Sequence, residues 1–242
     1  MMTIGFLGYG EIGKAISKVY EQFPNDYEIF VRDLNKDEFE AVSTLDVLNV
    51  CIPFVSDLQF LTAVRAAIKN TAPTLVIIHA TVPVGTTDKI ENAVHSPVRG
   101  VHPNLFAGVC TFEKFVGSIN PTIAIQAATH LQQLGLKVTI LKNAKATELL
   151  KLLDTTYYGV CIEYHRFAKE LCDKEDVPFN EVMTLANITY NEGYTKLDKS
   201  NVVRPVLYPP EGQLGGHCVE PNSLLLEKQY GTNILQHMRE RN

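Results

Sequence analysis

Met1-Met2-Thr3-Ile4-Gly5-Phe6-Leu7-Gly8-Tyr9-Gly10-Glu11-Ile12-Gly13 opens a chain of 242 residues, and the reading of this stretch decides the fold. Thr3 to Leu7 is the short apolar run of a buried strand. Gly8 to Gly13 follows as G-x-G-x-x-G, and Lys14 to Gln22 continues with helical spacing. A second apolar run, Tyr27 to Val31, closes on Arg32-Asp33, with the acid twenty residues after Gly13. Strand, glycine turn, helix, strand and acid in that order make a dinucleotide-binding unit. Gly8 permits the tight turn, Gly10 admits a pyrophosphate to the backbone, and Gly13 lets helix and strand pack closely. The helix start offers unpaired N–H groups and the positive end of its dipole to the phosphates. Tyr9, Glu11 and Ile12 complete the turn. Asp33 accepts hydrogen bonds from an adenosine ribose and repels a 2′-phosphate, which favours NAD over NADP. Another adenosine ligand on the same crevice, such as S-adenosylmethionine, is the other reading of the turn.

Working outward, the composition is that of an ordinary soluble globular protein, 45% hydrophobic and 20% charged. A net charge of -5 gives no global attraction to nucleic acid or to an anionic membrane. Met1 runs straight into a strand, with no charged-then-apolar leader, and no apolar run approaches the ~20 residues of a membrane span. The five cysteines (Cys51, Cys110, Cys161, Cys172, Cys218) are odd in number and lack C-x-x-C spacing. That reads as free thiols in the cytoplasm, with all but Cys218 in the core. No set of His, Cys, Asp and Glu has metal-ligand spacing, so no metal is expected.

Further strands are expected at Asp46–Pro53, Thr74–His79, Val98–His102, Pro121–Ile125 and Val138–Leu141. Helices are expected at Ser56–Lys69, Asp88–Val94 and Ala127–Leu136, with only a short helix or loop over Leu34–Ser43. Strands alternating with helices imply an α/β, doubly wound parallel sheet, a Rossmann-type domain over residues 1–143. Pro53 ends the third strand and joins the expected cofactor-binding set. Ala144 to Asp173 reads as one helix of ~30 residues, beyond ordinary globular length, and so as a spine or subunit contact. Residues 144–242 then form a smaller helical substrate and dimerisation domain, with a helix at Asn180–Thr189, a Pro- and Gly-rich loop at Val202–Gly216 and a helical tail from Ser223.

Three later stretches fall in the order of one family. Thr81-Val82-Pro83-Val84-Gly85-Thr86-Thr87 resembles the T-V-P-V-G-T loop of the UDP-glucose/GDP-mannose 6-dehydrogenases. Glu148-x-x-Lys151, running on to Thr156-Tyr157, is similar to their E-x-x-K-x-x-x-N-T-Y helix. Gly215-Gly216-His217-Cys218 resembles their nucleophile loop. The family's last domain, which grips the nucleotide of the sugar nucleotide, has no counterpart before Asn242. The resemblance implies NAD-dependent oxidation of an alcohol, such as that of a sugar, in two steps. Cys218 traps the aldehyde as a thiohemiacetal, and a second hydride transfer leaves a thioester that water hydrolyses. A helix starting just after Cys218 would favour its thiolate. Lys151 would supply positive charge beside a developing oxyanion. Thr81 would position water and line the nicotinamide site.

The chain departs from the family at three aligned positions. Asn104 replaces an acid after Pro103, Thr155 replaces the helix asparagine, and Asn222 replaces the aspartate four residues after the cysteine. An amide cannot act as a general base. These positions, with Arg204 as an anion clamp and His217, make up the expected substrate-binding set. Asn222 also reads as a helix N-cap, Lys151 as half of a surface ion pair with Glu148, and Cys218 as a buried residue in a glycine turn. A two-electron dehydrogenase of a small hydroxy compound, using Lys151, a non-catalytic nucleotide-binding module and an S-adenosylmethionine-dependent transferase are the other functions compatible with these residues. The expected partners are a small-molecule substrate and a second copy of the chain, docked through the long helix.

Overall fold

The structure is a computed structural model that describes residues 1–209 and 218–231. The N-terminal apolar run forms β1 (Met2–Leu7), whose last four residues are buried. After the glycine turn comes α1 (Glu11–Tyr20), which buries Ala15, Ile16, Val19 and Tyr20 at helical spacing. Then come β2 (Tyr27–Asp33) and a two-residue strand, β3 (Lys36–Asp37). β4 (Val47–Val50) and β5 (Leu75–Ile78) are buried at every position, as strands covered on both faces must be. Between them runs α2 (Asp57–Thr71), capped by the Ser56 side chain. With β6 (Ala93–His95) the sheet order is β3-β2-β1-β4-β5-β6. All pairs are parallel except β2 with β3. The α/β doubly wound expectation is borne out. The order reverses between β1 and β4, which opens the crevice where such sheets bind ligands.

α3 (Leu105–Thr111), β7 (Lys114–Val116), α4 (Pro121–Gln133) and β8 (Val138–Ile140) complete this part, β7 and β8 pairing in parallel. One core joins α1, α3 and α4 to the sheet, and a second joins α2 to its opposite face.

Several local expectations need correction. Pro121–Ile125 is the start of α4 and not a strand: Asn120 accepts from the Thr122 N–H at 3.0 Å and Pro121 fills the first helical position. The strand before that helix is β7. Asp88–Val94 is not a helix. It holds one 3-10 turn, Thr87–Lys89, and the first residues of β6, with Asn92 at φ 52° stopping any helix between them. Val98–His102 is not a strand, being bracketed by Pro97 and Pro103, which have no N–H for a ladder. Residues 34–43 contain β3 as well as a 3-10 turn. Cys110 is exposed and Cys161 half-buried, whereas Cys51 and Cys172 are buried as expected.

The long helix is α5 (Ala144–Lys174), 31 residues. The chain divides into two compact units, Met1–Lys151 and Leu152–Asn242, so the division falls inside α5 and not at residue 143. Side chains of its first turns bond loops of the first unit, as described below, which is why those turns count with it. In the second unit a π-helical turn, Asn180–Thr184, leads into α6 (Leu185–Lys196), so the expected 180–189 helix runs seven residues further. The last described element is α7 (Val219–Tyr230), which starts four residues before Ser223 and ends at Gly231 with φ 64°. No helix among the described residues is long and apolar enough to cross a membrane.

Candidate functional site

The glycine turn has the geometry that a dinucleotide requires. Gly8 sits at φ 92°, and a Cβ there would lie 2.8 Å from the Ile52 nitrogen, so the turn is pressed against the end of β4. A Cβ on Gly13 would lie 2.3 Å from the Gly8 carbonyl oxygen. Gly10 differs: it caps α1 with no side-chain hydrogen bond, and a Cβ added to it would meet nothing within 4 Å. Open space therefore lies in front of the helix start.

Asp33 closes the arrangement. Its Oδ2 accepts the Tyr9 N–H at 2.6 Å and its Oδ1 the Leu34 N–H at 2.6 Å. A carboxylate has about four acceptor sites, so ribose hydroxyls can still be accommodated. Ile12 packs against the core, and Pro53 is exposed just beyond β4. Glu11 is held by His102, Nδ1 to Oε2 at 2.6 Å. Helix donors, an open cradle and a carboxylate at the end of β2 fit a dinucleotide.

At the carboxyl end of β5 lies the loop from Thr81 to Thr87, with Thr81 half-buried. Both of its ends are fastened to the first turns of α5. The carboxylate of Glu148, fully buried, accepts the Gly85 N–H at 2.6 Å, the Thr87 N–H at 2.8 Å and the Thr87 hydroxyl at 2.6 Å. Burial nevertheless raises its pKa above the ordinary value, against those hydrogen bonds. The surface ion pair expected between Glu148 and Lys151 is thus replaced at Glu148 by this buried fastening. At the other end, His95 contacts the Ala80 carbonyl oxygen through Nε2 at 3.1 Å and Thr147 Oγ1 through Nδ1 at 2.9 Å. A carbonyl only accepts, so Nε2 carries the proton; Nδ1 lies against the Thr147 hydroxyl, which also reaches the Ala144 carbonyl at 2.9 Å. Burial lowers the His95 pKa to about 3, which keeps the ring neutral.

Lys114 is a buried cation beneath these loops. Its Nζ donates to the carbonyls of Ser96 (2.7 Å) and Pro97 (3.2 Å) and lies 3.3 Å from His79 Nδ1. Burial brings its pKa down to about 7, and Lys151 pushes in the same direction. Lys151 is half-buried one helical turn beyond Glu148. Glu148, His95 and Lys114 were not singled out as functional residues from the sequence. For Glu148 the signal was present in E-x-x-K but fitted a surface pair equally well. For the other two, a lone histidine and lysine in short strands, there was none.

In the second unit, Cys218 is half-buried at the N-cap of α7, and its carbonyl accepts the Asn222 N–H at 3.2 Å. Asn222 is buried and donates through Nδ2 to Thr155 Oγ1 at 3.1 Å. Two of the three departures therefore pair with each other. Asn222 lies four residues inside the helix and is not its N-cap. Arg204 is positioned by Asn191, which accepts its N–H and donates to its carbonyl, both at 2.7 Å. Its guanidinium carbon lies 3.9 Å from the Tyr190 ring centroid. Asn104, the third departure, is exposed at the N-cap of α3 in the first unit. His217, Gly215 and Gly216 lie outside the described residues.

No family model matches the chain. It is 23% identical over 218 residues to a UDP-N-acetyl-D-mannosamine dehydrogenase of Methanocaldococcus jannaschii, a match covering 81% of this chain and 48% of the relative. Its relatives are nucleotide-sugar dehydrogenases. The resemblance read from the motifs is borne out, and the chain spans about half the length of the curated relatives it matches. The fold is that of a solved UDP-D-ManNAc dehydrogenase from Pyrococcus horikoshii, with TM-score 0.79, 20% identity, and coverage of 99% of this chain and 68% of that one. A 3-hydroxyisobutyrate dehydrogenase of Mycobacterium tuberculosis shares the fold at TM-score 0.73 and 17% identity, covering 99% of this chain and 92% of that one.

Proposed function

We propose that the chain is an NAD-dependent oxidoreductase of nucleotide-sugar-dehydrogenase type, oxidising an alcohol of a sugar or sugar derivative. The observation that carries this reading is the glycine turn with its cradle at Gly10, tied by Asp33 through the Tyr9 N–H. The order of the Thr81, Lys151 and Cys218 motifs and the curated relatives support it. NAD, when bound, would supply the hydride acceptor. Gly8 to Gly13 would hold its pyrophosphate, Asp33 its adenosine ribose, and Thr81 would line the nicotinamide side. Lys151 would stabilise the alkoxide as the hydroxyl proton passes to water positioned by Thr81. Cys218 would add to the resulting aldehyde, giving a thiohemiacetal whose oxidation, with a second NAD, would leave a thioester that water hydrolyses. Arg204, held flat on Tyr190, receives an anionic group of the substrate.

The hydrogen bond from Asn222 to Thr155 favours a second reading. Neither partner can act as a general base in thioester hydrolysis, so an acyl-enzyme would not turn over; this favours a two-electron oxidation that never forms one, with Lys151 as the acid–base group and Cys218 structural. The two readings separate by NADH yield per substrate in wild type and in Cys218→Ser. Two NADH per substrate, lost in the variant, supports the first; one NADH, unchanged in the variant, supports the second; no NADH from any alcohol or aldehyde rejects both.

Free cysteines fit a reducing cytoplasm. The exposed apolar side chains of Leu153, Tyr157, Tyr164 and Phe167 on α5 support a homodimer through that helix. Sedimentation as a monomer at micromolar concentration would reject that assembly.

A further inference from the structure

We propose that Glu148 is a positioning residue that locks the Thr81–Thr87 loop onto the helix carrying Lys151. The proposal rests on the dehydrogenase reading of those two residues. Before its terminal 3-10 turn the loop holds a single tight turn, in which Thr86 donates its N–H and hydroxyl to the Pro83 carbonyl at 3.2 and 2.8 Å, so the placement of that turn depends on what holds the loop's ends. One carboxylate satisfies two backbone donors and one hydroxyl near Gly85–Thr87, while His95 and Thr147 hold Ala80 at the entry. Glu148 and Thr147 are adjacent, and Lys151 follows Glu148 by three residues, so one stretch of α5 sets both loop ends and the lysine. Gly85 has φ 89°, a conformation that returns the chain toward α5 and presents its N–H to the carboxylate.

No neutral side chain reproduces this fastening. Glutamine has one acceptor oxygen, and its NH2 would face a donor. Burying an unpaired donor is costly, so the loop end should detach and not merely loosen. The Gly8–Gly13 turn and Asp33 share no hydrogen bond with Glu148, so the pyrophosphate and adenosine contacts of the cofactor should not depend on it, and only the Thr81 contact on the nicotinamide side should.

The test compares wild type, Glu148→Gln and Thr87→Val in three measurements on the full chain. These are hydrogen exchange of the 80–88 segment, calorimetric NAD affinity, and kcat with KM on the substrate found by the NADH screen. The expected result for Glu148→Gln is exchange at residues 81–87 faster by about tenfold or more, with exchange in β1 and β4 unchanged. NAD affinity should change less than about threefold while kcat falls by on the order of a hundredfold. Thr87→Val, which keeps both amide bonds, should show the same pattern more weakly, and it decides the matter if Glu148→Gln does not fold. Unchanged exchange over 81–87, or a loss of NAD affinity equal to the loss of kcat, would overturn the proposal. If wild type neither binds NAD nor forms NADH, the dehydrogenase reading fails. The exchange measurement still decides whether the fastening exists.

Discussion

Gly10 and Gly13 stand three residues apart and should respond in opposite ways to an added methyl group. At Gly13 the new Cβ would press on the Gly8 carbonyl, and one of the two elements must shift. Gly13→Ala is expected to lower stability by roughly 1–3 kcal/mol, read as a fall in melting temperature. At Gly10 the methyl meets no protein atom within 4 Å, so Gly10→Ala should melt close to wild type yet lose NAD affinity. Equal losses of stability at both sites would contradict this division of labour. The tight turn at Gly8 and the close packing at Gly13 were legible in the sequence because each follows from what a backbone must do in a strand–turn–helix. Glu148 and His95 were not, because their partners lie 61 and 15 residues away and local spacing carries no trace of them.

At the scale of elements, α5 and α7 carry two of the three departures from the family pattern. Thr155 and Asn222 lie 67 residues apart in sequence, and their hydrogen bond makes them a coupled pair. A double-mutant cycle of Thr155→Val and Asn222→Leu should give a coupling of about 0.5–1.5 kcal/mol, and a value near zero would separate the two substitutions. Apolar periodicity found α5 almost to the residue, since 31 residues free of proline leave little ambiguity. It failed around 87–102 and 114–125. There the 3-10 turn and the strands are three residues long, the apolar residues opening α4 fit strand and helix equally, and capping by Asn120-Pro121 was the informative signal.

For the whole molecule, buried ionisable groups set the pH range of stability. Burial depresses the pKa of His95 to about 3, of His130 to about 4, and of His79 well below its ordinary value. The unfolded chain therefore binds more protons than the folded one below about pH 6.5. The stability these rings contribute is fully present above that pH and is lost as the pH falls toward 4 and then 3, each costing up to about 1.4 kcal/mol per pH unit. Denaturant titrations at pH 7, 5.5 and 4.5 should show midpoints falling steeply, and a flat profile would contradict the burial of these rings. Lys114 acts with the same sign at higher pH: its depressed pKa of about 7 makes stability rise from pH 7 toward 10.5.

We propose that the crevice at the β1–β4 reversal takes NAD, with Asp33 as its selector. Calorimetric titration of the purified chain with NAD, NADP and S-adenosylmethionine, repeated with Asp33→Asn, tests it most directly. Saturable NAD binding, weak NADP binding, and loss of that discrimination in the variant are the predicted results. Binding of S-adenosylmethionine alone, or of no dinucleotide at all, would contradict the claim.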